Sequence, residues 1–302
     1  MASPPRHLLQ LEGLGRDVIE HLFERTRVHL KAQGSGTRPL AGCAVANLFY
    51  ENSTRTRFSF ERAARALGAD VLNLEAAASS VAKGESLLDT VRNIEAMGVK
   101  AFVVRHGAAG AAAFLARAVN VPVINAGDGA HEHPSQGLLD AFTLLEQLGT
   151  LQGKRILIAG DVLHSRVARS NAHILKTLGA EVVFSGPPTL IPAGVEEALG
   201  ARVEPDFDRA LLTADAVMML RVQLERQQQA MFPSVREYAR NYGLNATRAE
   251  RLAACVPILH PGPINRNVEL GADVADSARS LVLKQVTHGV AVRMSIFEWC
   301  CG

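Results

Sequence analysis

Cysteine is scarce in this 302-residue chain, and net charge is nearly absent. The four cysteines, Cys43, Cys255, Cys300 and Cys301, form no CxxC pair. That argues against a disulfide framework and a structural zinc site, and favours free thiols in a reducing cytoplasm. A net charge of +2 is too small for a protein that grips nucleic acid by bulk attraction. Any anion recognition must therefore come from local clusters. No stretch approaches the roughly 20 apolar residues of a membrane helix. The segment Met1–Leu14 lacks the sustained apolar run of a signal peptide. Catalytic signatures are missing too. Gly160–Arg166, GDVLHSR, follows a strand-like run but lacks the GxGxxG spacing of a dinucleotide site. No GxSxG and no cysteine beside a base marks a covalent nucleophile.

What is present is ordinary for a globular protein: 48% apolar and 21% charged residues. The length exceeds one ordinary core and points to two domains. Short apolar runs at Cys43–Phe49, Asp70–Leu74, Ala101–Val104, Val121–Ile124, Arg155–Ala159, Glu181–Phe184, Asp215–Leu220 and Val256–Leu259 read as strands. Helical periods lie between them. Phe60, Ala63, Ala64 and Leu67 share one helix face, as do Leu87, Val91 and Ile94. Ala108–Ala113 and Gly137–Leu148 also read as helix. The alternation implies an α/β fold: two domains, each a parallel sheet between helices. The junction falls near 137–148, and the run Leu281–Trp299 is apolar enough to pack back on the first domain. This gives 1–136 plus 285–302 for one domain and 137–284 for the other.

The segment Phe49–Arg57, FYENSTRTR, carries the clearest chemistry. A strand ends and a helix begins there, and Ser53 or Thr54 suits the cap. The first turn exposes backbone N–H groups and the positive end of the helix dipole. Arginines in such a turn are electrostatically misplaced unless an anion joins them, so the turn reads as a phosphate cradle. A surface helix start with solvated arginines would carry the same residues. Arg105 ends a strand, where open α/β sheets bind ligands, although a salt bridge explains it equally well. His131 and His133 invite a metal reading, but no third ligand is apparent. Pro134 lets a helix begin. Lys83 lies in a glycine-containing loop, Ser79–Ser86, where a solvated charge is the usual state. Arg166, Arg221 and Gln223 are ordinary surface residues when taken singly. Pro261 and Pro263 stiffen a loop and leave carbonyls available.

Together these motifs resemble the aspartate and ornithine carbamoyltransferases from about Leu8 to the end. The quoted elements are STRTR, the arginine after VV, HPxQ, KGES, RVQ and HPGP. The resemblance implies that Ser53, Thr54, Arg55 and Thr56 bind the phosphate of carbamoyl phosphate, with Thr56 also on its carbonyl oxygen. Arg105 and His133 would polarise that oxygen, Gln136 would meet the carbamoyl nitrogen, and Arg57 and His131 would be structural. Lys83, with Ser79 or Ser80, would reach the neighbouring subunit's site and touch both substrates. Arg166, Arg221 and Gln223 would hold L-aspartate, and carbonyls of the Gly262–Pro263 loop would face the carbamoyl nitrogen and incoming amine. The family usually has a bulkier residue in place of Gly262. Its ornithine members carry His-Cys-Leu-Pro and an aspartate-bearing loop, where this chain has HPGP and RVQ. The implied protein is a cytoplasmic enzyme of pyrimidine biosynthesis, free of metal, cofactor, membrane and nucleic acid. It would be a homotrimer with shared sites, alone or joined by a regulatory or dihydroorotase-like chain. The readings set against this one are an ornithine-type transferase, a catalytically silent scaffold of the same fold, and a nicotinamide dehydrogenase.

Overall fold

The computed structural model describes residues 5–32, 36–75, 86–223 and 231–302. The chain forms two compact units, Met1–Leu138 with Val286–Gly302, and Leu139–Gln285. The first contains α1 (Arg16–Ala32), β1 (Ala44–Phe49), α2 (Thr54–Ala66), β2 (Asp70–Glu75), α3 (Leu87–Ala96), β3 (Val99–His106), α4 (Ala111–Ala116) and β4 (Val123–Asp128). The division falls within α5 (Pro134–Leu148) and, on the return, within α12 (Val282–Cys301). The second contains β5 (Arg155–Ala159), α6 (Arg166–Thr177), β6 (Glu181–Ser185), α7 (Val195–Leu199), β7 (Arg202–Val203), α8 (Phe207–Leu212) and β8 (Ala216–Met219). It continues with α9 (Val235–Tyr242), α10 (Ala246–Arg251), β9 (Ile258–Leu259) and α11 (Ala272–Ala275).

Unit 1 is built on a parallel sheet of order β2-β1-β3-β4. Val45–Phe49 and Ala101–Val104 are buried without alternation, as strands covered on both faces must be. On α2 the buried stripe is Phe60, Ala63 and Ala64, continued by Leu67 just beyond the helix. The terminal helix α12 packs on this unit. Phe297 meets Phe60 edge-on at 5.8 Å, and Ser295 Oγ lies 3.0 Å from Thr26 Oγ1. Glu298 takes a two-point bond from Arg25 at 2.9 and 3.1 Å, and His29 Nε2 lies 3.0 Å away. The segment around Leu8 runs beside β4: Leu8 N–H donates to Val123 O at 3.0 Å and Asn125 N–H to Leu8 O at 2.8 Å. The buried Glu132 carboxylate then accepts the N–H groups of Leu11 (2.9 Å) and Glu12 (3.1 Å).

Unit 2 has a parallel sheet of order β7-β6-β5-β8-β9. Its core runs from Leu157 and Val217 in the strands to Phe207, Leu211, Leu244 and Val274. Among the described residues, no helix is long and apolar enough to cross a membrane.

Several local expectations shift; β4, expected at Val121–Ile124, runs Val123–Asp128, and β9 is only Ile258–Leu259. β7 is a two-residue edge strand with no apolar run to announce it. α5 starts at Pro134 rather than Gly137, because the His133 carbonyl already accepts from Gln136 and Gly137. Ala108 and Ala109 lie in a turn ahead of α4, since Gly110 takes a left-handed φ of 82° and donates its N–H to Asp128.

Candidate active site

In unit 1 the chain leaves β1 through α2 to β2 on one side, whereas β3 flanks β1 on the other. This reversal opens a crevice beyond the carboxyl ends of β1 and β3, where open α/β sheets hold ligands. Phe49 is in register with Arg105, and Tyr50 N–H donates to Arg105 O at 2.9 Å. The residues FYENSTRTR and Arg105 therefore occupy one edge. Ser53 is the N-cap of α2, with extended backbone (φ −162°, ψ 97°), but its hydroxyl makes no capping bond. Ser86, Ser165, Asp206, Ser234 and Asn245, the N-caps of α3, α6, α8, α9 and α10, all make one. No acidic residue stands in the first turn of α2. Thr54 and Arg55 are exposed, while Thr56 is buried. Positive dipole, an uncommitted cap hydroxyl and exposed Arg55 together suit a phosphate dianion. Arg57 stacks on Phe58, 5.3 Å from its ring centre.

Arg105 is held from two directions. Its Nη1 donates to Ala126 O at 3.0 Å, and Nε lies 3.6 Å from Glu51. At the end of β4, the Asp128 carboxylate accepts Asn125 Nδ2 (2.7 Å) and Gly110 N–H (2.7 Å), with His131 Nδ1 at 3.1 Å. Burial alone would raise the pKa of Asp128, but these hydrogen bonds and His131 hold it below the usual carboxylate range. The ionised carboxylate folds residues 128–133 back, so that Asp128 N–H meets Glu132 O and the buried His133 opens α5. His131 is thus engaged by Asp128. Buried Gln136 follows in the first turn. Arg293 of α12 lies beneath, 4.9 Å over the Phe60 ring and 3.4 Å from Ser135 Oγ, where it braces α2 and α5 together.

Unit 2 repeats the device. The chain leaves β5 through α6 to β6, and β8 flanks β5 on the other side. Gly160, at φ 125°, starts the loop after β5; a Cβ there would lie 2.8 Å from Tyr238 OH and 3.1 Å from Leu220 O. Buried Asp161 accepts His164 Nδ1 at 2.8 Å and N–H at 3.2 Å, with Gln223 N–H at 3.5 Å. Gln223 Nε2 donates to His164 O at 3.2 Å. These bonds join the loop before Arg166 to the segment carrying Arg221. Arg166 is buried and Arg221 half-buried. After β9, Gly262 adopts φ 66° ahead of a cis peptide to Pro263. Its N–H donates to His260 Nδ1 at 2.8 Å. Among the described residues, the carbonyls of Pro261, Gly262 and Pro263 accept no hydrogen bond.

The structure therefore gathers Ser53, Thr54, Arg55, Thr56, Arg105, His133 and Gln136 at the edge of unit 1. Arg166, Arg221, Gln223, Gly262 and Pro263 gather at the edge of unit 2. Lys83, Ser79 and Ser80 lie outside the described residues. Sequence reasoning missed Glu51, Asp128, Asp161 and Arg293, which orient the others. For Asp161 a signal existed, because an acid directly after a strand-ending glycine is placed to tie a loop.

A helix start suited to an anion at one switch point, and arginines suited to carboxylates at another, fit a transferase of small charged metabolites. The chain belongs to the aspartate/ornithine carbamoyltransferase family: its carbamoyl-P binding domain model matches residues 6–146, and its Asp/Orn binding domain model residues 152–300. The aspartate carbamoyltransferase catalytic subunit of Myxococcus xanthus is 60% identical over 98% of this chain and 99% of its own. That of Opitutus terrae is 50% identical over 98% and 95%. Among solved structures, Trypanosoma cruzi aspartate transcarbamoylase in complex with carbamoyl phosphate and aspartate superposes with a TM-score of 0.88 at 28% identity, covering 97% and 96%. Ornithine carbamoyltransferase from Pyrococcus furiosus gives 0.87 at 27%, covering 98% and 97%. The fold is thus common to both acceptor types, and the unit 2 residues and the sequence relatives are what bear on the acceptor.

Proposed function

We propose that this chain transfers the carbamoyl group of carbamoyl phosphate to the α-amine of L-aspartate, yielding N-carbamoyl-L-aspartate and phosphate. The observation that carries the acceptor is Arg221–Gln223, held at the unit 2 switch point by Asp161 and His164. A planar guanidinium matches a carboxylate bidentately, and it repels the cationic side chain of ornithine.

The chemistry needs no covalent intermediate. The neutral amine attacks the carbonyl carbon, the bond from that carbon to the phosphate oxygen breaks, and the departing phosphate takes the amine proton. Thr56, Arg105 and His133 polarise the carbonyl oxygen. Ser53, Thr54, Arg55 and Lys83 stabilise charge on the leaving phosphate. Gln136 and carbonyls of the Gly262–Pro263 loop hold the carbamoyl nitrogen, and Arg166, Arg221, Gln223 and Lys83 orient aspartate. The product serves pyrimidine biosynthesis in the cytoplasm. The working form is a homotrimer in which Lys83 completes a neighbour's site, alone or with a regulatory or dihydroorotase-like chain.

An initial-rate assay with aspartate and ornithine as rival acceptors tests the reaction; preference for ornithine would reject it. The shared site is tested by refolding Lys83→Ala and Arg55→Ala chains together. Random assortment around a ring of three leaves about a quarter of sites intact. No recovered activity in verified mixed trimers would place Lys83 in its own chain's site or at the surface.

A further inference from the structure

A continuous chain of buried polar groups runs beneath the unit 2 loops. It starts on α6, where Asn171 Nδ2 donates to Asp140 Oδ2 at 2.9 Å. Asp140 Oδ1 accepts Gln285 Nε2 at 2.7 Å. That bond turns the Gln285 oxygen toward the His260 N–H, which donates to it at 3.1 Å. The His260 ring is fixed as well. Its Nδ1 accepts the Gly262 N–H at 2.8 Å, so the ring proton belongs on Nε2, which donates to Glu269 Oε1 at 3.1 Å. The same oxygen accepts the Asn265 N–H at 2.6 Å. Asn265 Nδ2 then donates to Val222 O at 3.1 Å, between Arg221 and Gln223. Asn171, Asp140, His260, Glu269 and Gln285 are all at most 3% exposed.

Such a chain is a poor way to stabilise a fold. Each buried carboxylate costs several kcal/mol of desolvation, and apolar side chains of similar volume often serve stability as well or better. What connected polar groups supply is a single arrangement, because each bond dictates the direction of the next. Here the arrangement reaches the helix that begins with Arg166, the Arg221–Gln223 segment and the Gly262–Pro263 loop.

We infer that Glu269 is a positioning residue. Acting through His260 and Asn265, with Gln285 holding the other side of His260, it fixes the Gly262–Pro263 backbone and the Arg221–Gln223 segment as one piece. Glu269 touches no substrate; it sets the spacing between the carbonyls that face the carbamoyl nitrogen and the arginine that holds the acceptor. The role rests on the functional reading of those loops given above.

Three variants test it, with initial rates over aspartate concentration and thermal melts measured on each. Glu269→Met keeps the volume and removes the acceptor oxygen, and it lowers kcat/KM for aspartate about 100-fold in protein that is still folded. Glu269→Gln keeps an oxygen facing both N–H groups and stays within about fivefold of wild type. Asn265→Ala, at a half-buried position, cuts the tie to Val222 and raises the KM for aspartate about tenfold. The idea is wrong if Glu269→Met loses activity only in proportion to its unfolded fraction. If Glu269→Met does not fold, an unmoved KM in Asn265→Ala overturns it alone. Wild type measured alongside separates the two readings. An inactive wild type sinks the functional reading and this role with it, whereas an active wild type with unmoved variants sinks the role only.

Discussion

α2 and α6 both start at a switch point, one in each unit, and both have serine at the N-cap. Ser165 Oγ accepts the Ala168 N–H at 3.1 Å, so the first turn of α6 is closed upon itself. Ser53 makes no such bond. The difference suits the two helix starts to two ways of binding an anion. An open helix start offers several converging N–H groups and suits a tetrahedral dianion. A closed start is a rigid stand for a side chain such as Arg166, and a planar carboxylate needs a fork more than a cradle.

The largest expected effects test that division directly. Arg55→Ala removes a charged donor from the open start and should reduce kcat by two to three orders of magnitude, about 3–4 kcal/mol of barrier, with melting unchanged. Arg221→Ala should instead raise the KM for aspartate by about 10- to 100-fold while calorimetry finds carbamoyl phosphate binding largely kept. If the two variants show the same kinetic signature, the units do not divide the substrates as described.

A smaller effect concerns how unit 1 holds its last helix. Burial opposes the charge on Glu298, but hydrogen bonds from His29 and Arg25 lower its pKa to about 2. A lowered carboxylate stabilises the fold fully above its unfolded value of 4.5, and the contribution is lost as pH falls from there toward about 2. Glu298→Gln should therefore cost about 2–3 kcal/mol at neutral pH and flatten the acid limb of the stability curve. An acid limb identical to wild type would rule out this pair as its source.

The smallest effect bears on the caps themselves. Ser165→Ala should destabilise by about 1 kcal/mol, the usual cost of a lost N-cap. Ser53→Ala should leave melting unchanged and weaken carbamoyl phosphate binding alone. Equal melting losses in the two variants would erase the contrast between the helices.

Much of this was legible in the sequence, for definite reasons. Strands such as Arg155–Ala159 announce themselves because both faces are buried and the run must be apolar. STRTR is short, local and chemically unusual at the end of a strand, whereas Arg221 and Gln223 read as ordinary surface residues and stand out only through the family resemblance. β7 was not legible, since pairing with β6 makes it a strand without requiring apolar residues. Nor were the groups that orient the site. Asp140 and Gln285 are 145 positions apart, and neither sits in a pattern that names its partner. Arg293 reads as a helix residue until Phe60 and Ser135 appear beside it.

The grip of Glu132 on the N–H groups of Leu11 and Glu12 carries a practical consequence. Glu132 immediately precedes His133, so the leading segment and the histidine proposed to polarise the carbonyl share one anchor. Truncating the chain before Gly13 would strand a buried carboxylate next to His133. Such a deletion should register as a loss of carbamoyl phosphate affinity, and a truncated protein that binds it normally would refute this. Engineered fusions are best attached upstream of Leu8 or at the other terminus, where no bond to this loop is at stake.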